Sequence, residues 1–143
     1  MAGRNDRRYE LEAQVGHLLR RAHQRATAIF LAAMQEHQVT PTQWAALSML
    51  RVEGSLSQNH LGRLTAMDPA TIQGVARRLI ARKLVCRQAD LDDRRRAVLR
   101  LTESGKTLVD GLYETAFGVS RDTLAPLSEA ERQTFLSLLR RLS

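Results

Sequence analysis

Asp68-Pro69-Ala70-Thr71-Ile72-Gln73-Gly74-Val75-Ala76-Arg77-Arg78-Leu79-Ile80-Ala81 is the stretch on which the fold turns. Asp68 is an N-cap residue and Pro69 suits the first helical position, where its missing N–H costs nothing. Ile72, Val75, Ala76, Leu79 and Ile80 recur at helical spacing and form a buried stripe. The opposite face carries Thr71, Gln73, Gly74, Arg77 and Arg78. Just upstream, Ser57 caps a short helix from Gln58 to Thr65, and Ala66-Met67 makes a tight turn. Just downstream, Val85-Cys86-Arg87-Gln88 and Ala97-Val98-Leu99-Arg100-Leu101 are short and β-prone. They flank a polar run from Ala89 to Arg96, which predicts a two-stranded hairpin with a long basic tip.

Helix, turn, helix and basic hairpin in this order form the plan of a winged helix-turn-helix. In that plan the second helix enters the major groove and its N-terminal residues meet base edges. Pro69, Ala70 and Thr71 stand at that end, where small side chains permit close approach. Thr71 can bond a base or a phosphate, and Gln73 can pair bidentately with adenine. Arg77 and Arg78 lie one to two turns deeper, in reach of guanine or backbone. Arg94, Arg95 and Arg96 repel one another unless a polyanion is near, and an Arg suits a narrow minor groove. Asp92 and Asp93 are placed to hold these guanidinium groups. Taken singly, the arginines read equally well as a solvated helix face and an exposed turn. Their order along the chain is what points to DNA.

Outward from this centre, Glu10 to Gln38 reads as one long helix, with Leu11, Val15, Leu18, Leu19, Ala26, Ile29 and Phe30 at helical spacing. About 28 residues would span about 40 Å, more than the domain's own core requires, so a partner chain is expected to cover the excess. Thr40-Pro41-Thr42-Gln43 is a capping box, and Val39 and Trp44 have the spacing of a hydrophobic staple. That helix stops near Gly54. Thr102 caps a helix through Leu108, Val109, Leu112 and Ala116. Ser128-Glu129-Ala130-Glu131 opens a last helix with Phe135, Leu138, Leu139 and Leu142 on one face. The predicted fold is mainly α with a small two-stranded β-wing. Residues 1–143 form a single domain, 10–38 and 102–143 supply dimerisation helices, and 40–101 form the DNA-binding region.

Composition agrees. The 143 residues hold 22 Lys and Arg against 15 Asp and Glu, a net charge of +7, which favours a polyanionic partner. Only Lys83 and Lys106 are lysines, and Arg forks onto phosphate and guanine edges better than Lys does. Biased codon usage would give the same excess of Arg. No apolar run approaches the roughly 20 residues a membrane span needs. The basic N-terminus has no apolar stretch behind it, so no leader is expected and a cytoplasmic location follows. A lone Cys86 forms no internal disulfide. His17, His23, His37 and His60 show no metal spacing, and no phosphate loop or nucleophile–base pair suggests an enzyme. A non-specific architectural protein and a protein-binding winged helix are the rival readings. The first would not need a capped recognition helix with small residues at its tip.

These residues resemble the MarR family. Asp68 to Ile72 and Arg78 to Val85 are similar to its recognition helix. Asp93-Arg94-Arg95, a short strand, then Leu101-Thr102-Glu103-Ser104-Gly105 matches its wing pattern, D-x-R followed by L-T-x-x-G. The likeness runs from about Glu10 to Leu142. It implies a symmetric dimer on double-stranded DNA, bound at a pseudo-palindromic operator and usually acting as a repressor. It makes Arg95 the wing-tip residue of the minor groove, Asp93 the acid that braces it, and Asp68 with Arg87 a pair tying recognition helix to wing. Peroxide-sensing members carry a reactive Cys where this chain has Gly16, and Cys86 reads as a small buried residue, so release by a ligand is expected. His17, Arg20 and Trp44 match pocket-lining positions and offer a cation, a hydrogen-bonding ring and an aromatic wall. His17 to Arg25 resembles members of the hydroxynicotinate-responsive type. The implied effector is a small aromatic carboxylate such as 6-hydroxynicotinate, with no cofactor and no metal.

Overall fold

The computed structural model describes residues 8–143; the basic N-terminus read above for leader signals, residues 1–7, lies outside them. The chain runs α1 (Val15–Ala33), α2 (Pro41–Glu53), β1 (Ser55–Leu56), α3 (Gln58–Leu64), α4 (Pro69–Ala81), β2 (Val85–Ala89), β3 (Ala97–Leu101), α5 (Glu103–Thr123) and α6 (Glu129–Arg140). Local chemistry sets the helix starts. The side chains of Thr40, Ser57, Asp68, Thr102 and Ser128 each accept a backbone N–H three residues on, and Thr40 and Ser128 complete reciprocal capping boxes with Gln43 and Glu131. Gly54 ends α2 with φ 83°, a conformation that favours glycine.

The long first helix is broken. A 3-10 turn, Leu11–Ala13, precedes α1, and a second, Gln35–His37, follows it. Gln14 is extended: its N–H closes the 3-10 turn on Leu11 O (3.0 Å), and its side chain returns to Glu10 O (2.9 Å). Gln38 turns left-handed, φ 51°, and closes the second turn. The regular part, 19 residues, therefore spans about 28 Å rather than about 40 Å.

The wing has three strands, not two. The order is β1-β3-β2, all antiparallel, with Ser55 opposite Arg100 and Val85 opposite Leu101. β1 is two residues long, too short to show an alternating pattern in the sequence. Leu56 on β1 is buried, and so are Val98, Leu99 and Leu101 on β3. The core joins Leu56, Leu99 and Leu101 to Leu47 and Leu50 of α2, Leu61 of α3, Ile72, Val75 and Leu79 of α4, and Val109 and Leu112 of α5. Each such side chain contributes about 1.5–3 kcal/mol by leaving water.

Two close approaches fix how the elements meet. At Gly62 on α3 a Cβ would come to 3.1 Å from Ile72 Cγ2 and 3.2 Å from the Met67 carbonyl, so α4 crosses α3 there. At Gly105, in the first turn of α5, a Cβ would overlap the Leu84 carbonyl oxygen. Thr102 finishes that junction, donating from its hydroxyl to Lys83 O (2.7 Å) and from its N–H to Leu84 O (3.0 Å). α5 packs along α1, and Arg25 of α1 caps the end of α5 by donating to the carbonyls of Asp122 and Thr123. α6 buries none of its residues within its own chain. Val15, Leu18, Phe117, Leu138 and Leu142 are exposed on α1, on α5 and at the C-terminal end. No helix among the described residues is long and apolar enough to cross a membrane.

Candidate nucleic-acid interface

α3, a three-residue turn and α4 form the helix-turn-helix. Ala66 takes φ 55° in the turn, and Met67 N donates to Gly62 O at 2.8 Å. α4 then begins at Asp68, whose Oδ1 accepts from Thr71 N (2.8 Å) and whose Oδ2 accepts from the Thr71 hydroxyl (2.9 Å). These two bonds hold the Asp68 carboxyl below the usual carboxylate range. They also engage the one hydroxyl proton of Thr71, which leaves its oxygen free to act only as an acceptor. Pro69, Ala70, Gln73 and Arg77 are exposed on the same end and face. The Arg78 guanidinium lies back along the helix, its Nη1 3.6 Å from where a Cβ on Gly74 would sit.

The wing tip is ordered by its own side chains. Asp90 N donates to Arg96 O and Arg96 N to Asp93 O, which closes the loop. Asp93 Oδ1 accepts both the N–H (3.1 Å) and the Nε (3.2 Å) of Arg95. The Arg95 side-chain bond, then its backbone bond, then the charge of Arg96 draw the Asp93 carboxyl below its ordinary range. The Arg95 side chain itself remains 92% exposed. Arg94 and Arg96 are exposed beside it. Asp92 does not share the bracing expected of it. Its N–H donates to Asp90, and no ion pair to it forms among the described residues.

The expected tie between Asp68 and Arg87 does not form either. Arg87 on β2 donates from Nη2 to Gln58 Oε1 at 2.9 Å. The wing is therefore fastened to the start of α3, and Asp68 is occupied with capping α4. Gln58 was not singled out in the sequence, because a lone Gln after an N-cap carries no signal until the strand lies beside it.

The three candidate effector residues occupy two elements. His17 is half-buried and Arg20 exposed on α1, and Trp44 is half-buried on α2. Trp44 meets Tyr113 of α5 edge-on with ring centroids 6.0 Å apart, and Tyr113 stacks on Phe117 at 6.5 Å. Trp44 is thus one end of a row of three rings, and the other two were not singled out in the sequence. A separate apolar cleft of about 380 Å³ opens between α1, α5 and α6, with His23, Thr27, Phe30, Val119, Leu124 and Phe135 among its lining residues. His17, Arg20 and Trp44 do not line it.

Residues 37–96 match the model of the MarR family. The HTH-type transcriptional repressor NicR of Pseudomonas putida is 43% identical over 134 residues, covering 94% of this chain and 85% of that protein. A probable transcriptional regulator from Pseudomonas aeruginosa has a crystal structure that superposes with a TM-score of 0.88 at 47% identity, covering 94% of this chain and all of the other. Bordetella bronchiseptica BpsR, whose structure is described as the mechanism for regulation of its DNA binding by 6-hydroxynicotinic acid, superposes with a TM-score of 0.89 at 39% identity, over 94% and 96% of the two chains. These likenesses set aside the architectural reading. With its capped α3–α4 unit and Arg-tipped wing, the chain belongs to the MarR family and is a sequence-specific DNA-binding transcription regulator.

Proposed function

We propose that this protein is a cytoplasmic homodimeric repressor that grips a pseudo-palindromic operator and lets go when it binds a small aromatic carboxylate. The observation that carries the DNA half of this reading is the wing tip, where Asp93 holds an almost fully exposed Arg95 in a chain of net charge +7. In this reading Pro69, Ala70, Thr71, Gln73 and Arg77 meet the major groove, Arg95 enters the minor groove, and Arg78, Arg94 and Arg96 meet phosphate. Residues 40–101 read DNA. Residues 10–38 and 102–143 join the subunits through the apolar faces that one chain leaves open. His17 and Arg20 supply a hydrogen bond and a cation to the effector carboxylate, and Trp44 with Tyr113 supplies the ring wall. The likeness to BpsR supports 6-hydroxynicotinate as the first candidate.

The test has two steps. Selection from random duplexes with the purified protein should return a pseudo-palindrome with half-sites about one helical turn apart. Titration of 6-hydroxynicotinate, nicotinate, salicylate and protocatechuate against that complex should then release it with at least one acid. Recovery of no sequence preference sinks the operator reading; a duplex that every acid leaves bound sinks the effector reading alone.

A further inference from the structure

The recognition helix is joined to α3 at its start and to the long helices at its far end. At its base-facing start Asp68 caps α4 itself, and Met67 N with Ile72 holds that end to Gly62 of α3, so the two short helices form one unit; its far end is tied to the roots of both long helices. On one side, Lys83 and Leu84 give their carbonyls to Thr102 at the start of α5. On the other side, Arg82, the C-cap residue of α4, reaches across to the turn that ends the α1 run. Its Nη1 donates to Gln38 O at 2.9 Å and to Gln43 Oε1 at 3.5 Å, and its Nη2 donates to His37 O at 3.0 Å. Gln38 is left-handed there, which turns two successive carbonyls toward one guanidinium. Those carbonyls close a helical run and carry its negative dipole end, so a cation is well placed against them. Gln43 is buried and already accepts from Thr40 N, so the anchor is fixed to the α2 capping box as well.

The rest of the contact between α4 and the body is apolar: Ile72, Val75, Ala76 and Leu79. Apolar contacts are non-directional and resist sliding poorly compared with a forked hydrogen bond. α4 has 13 residues, hence a length of about 20 Å. A swing of the α3–α4 unit by about 10° about the far end of α4 would carry the base-reading end about 3.4 Å, the rise of one base step. We propose that Arg82 is a positioning residue that sets the angle of the recognition helix against the dimer body, and through it the half-site spacing the protein accepts. The proposal rests on α4 being the element that reads DNA.

The experiment compares wild type, Arg82→Ala and Arg82→Lys on the duplex selected by wild type and on versions with one base pair added or removed between the half-sites. Wild type should prefer the native spacing by about tenfold or more. R82A should reduce that preference to less than about threefold, while sedimentation still shows its wild-type oligomeric state and thermal midpoint and salt slope stay close to wild type. R82K, which can satisfy only part of the fork, should fall between, and it carries the test if R82A does not fold. A uniform loss of affinity with the spacing ratio intact would overturn the proposal and make Arg82 a purely structural residue. A salt slope reduced by about one would also overturn it, since that marks a direct phosphate contact. A wild type indifferent to spacing would overturn both this proposal and the reading of α4 as the groove-entering helix.

Discussion

Arg95 combines two properties seldom found together on a surface: a guanidinium almost wholly in water, and a backbone and Nε pinned by one carboxylate. Pinning lowers the entropy an arginine would otherwise lose on entering a groove. Replacing Arg95 with Ala should therefore weaken operator binding about tenfold and flatten its salt dependence by about one unit of slope, measured by fluorescence anisotropy at several salt concentrations. The pH behaviour of the tip follows from Asp93. Folding lowers this carboxyl, so its contribution is complete above the ordinary carboxylate range and is lost only as pH falls through the lowered value. The Arg95 amide resonance should stay put between about pH 6 and 8 and shift only in acid. In Asp93→Asn the acid shift should vanish. Arg95 and Asp93 were both legible in the sequence because the bracing acid sits two residues away. Arg87 was misassigned for the opposite reason: its partner, Gln58, lies 29 residues back.

The starts of α2 to α6 were legible, since a cap and its target N–H are three residues apart; the start of α1, at Val15 rather than Glu10, has no side-chain cap to announce it. Helix ends and junctions were not. The break at Gln14 is a 3-10 turn closed by backbone bonds that no residue type announces, β1 exists only because β3 lies beside it, and the Arg25 and Arg82 clamps reach backbone carbonyls 44 or more residues away. Gly105 shows how a motif can be seen before it is understood. Its place after Leu101-Thr102 stood out in the sequence, and the reason is contact: α5 enters so close to Leu84 that no Cβ fits. Gly105→Ala should force the β3–α5 junction apart and cost about 3 kcal/mol, read as a drop in urea midpoint at unchanged slope. Gly111 on the same helix has open space where a Cβ would go, so Gly111→Ala should be neutral or slightly stabilising and serves as the control.

A single chain leaves α6 with no buried residue, while Leu18 and Leu138 are about half exposed and Leu142 more so. The apolar spacing of both regions was plain in the sequence, as was the surplus over the domain's own core. What the sequence could not give was the division of labour, because α1 and α5 contribute to a core that α6 does not touch. Leu138→Glu places a charge on that open face while leaving the intrachain core alone. It should yield a smaller sedimenting species that keeps its helical circular dichroism and loses operator binding. The same nakedness of α6 has a thermodynamic corollary. A helix that its own chain covers so incompletely draws part of its stability from a second polypeptide, so part of the folding free energy is a mass-action quantity. Diluting the protein should lower its melting temperature progressively, with the C-terminal helix fraying first, and newly made chains will be most vulnerable to proteolysis at that end until copies accumulate.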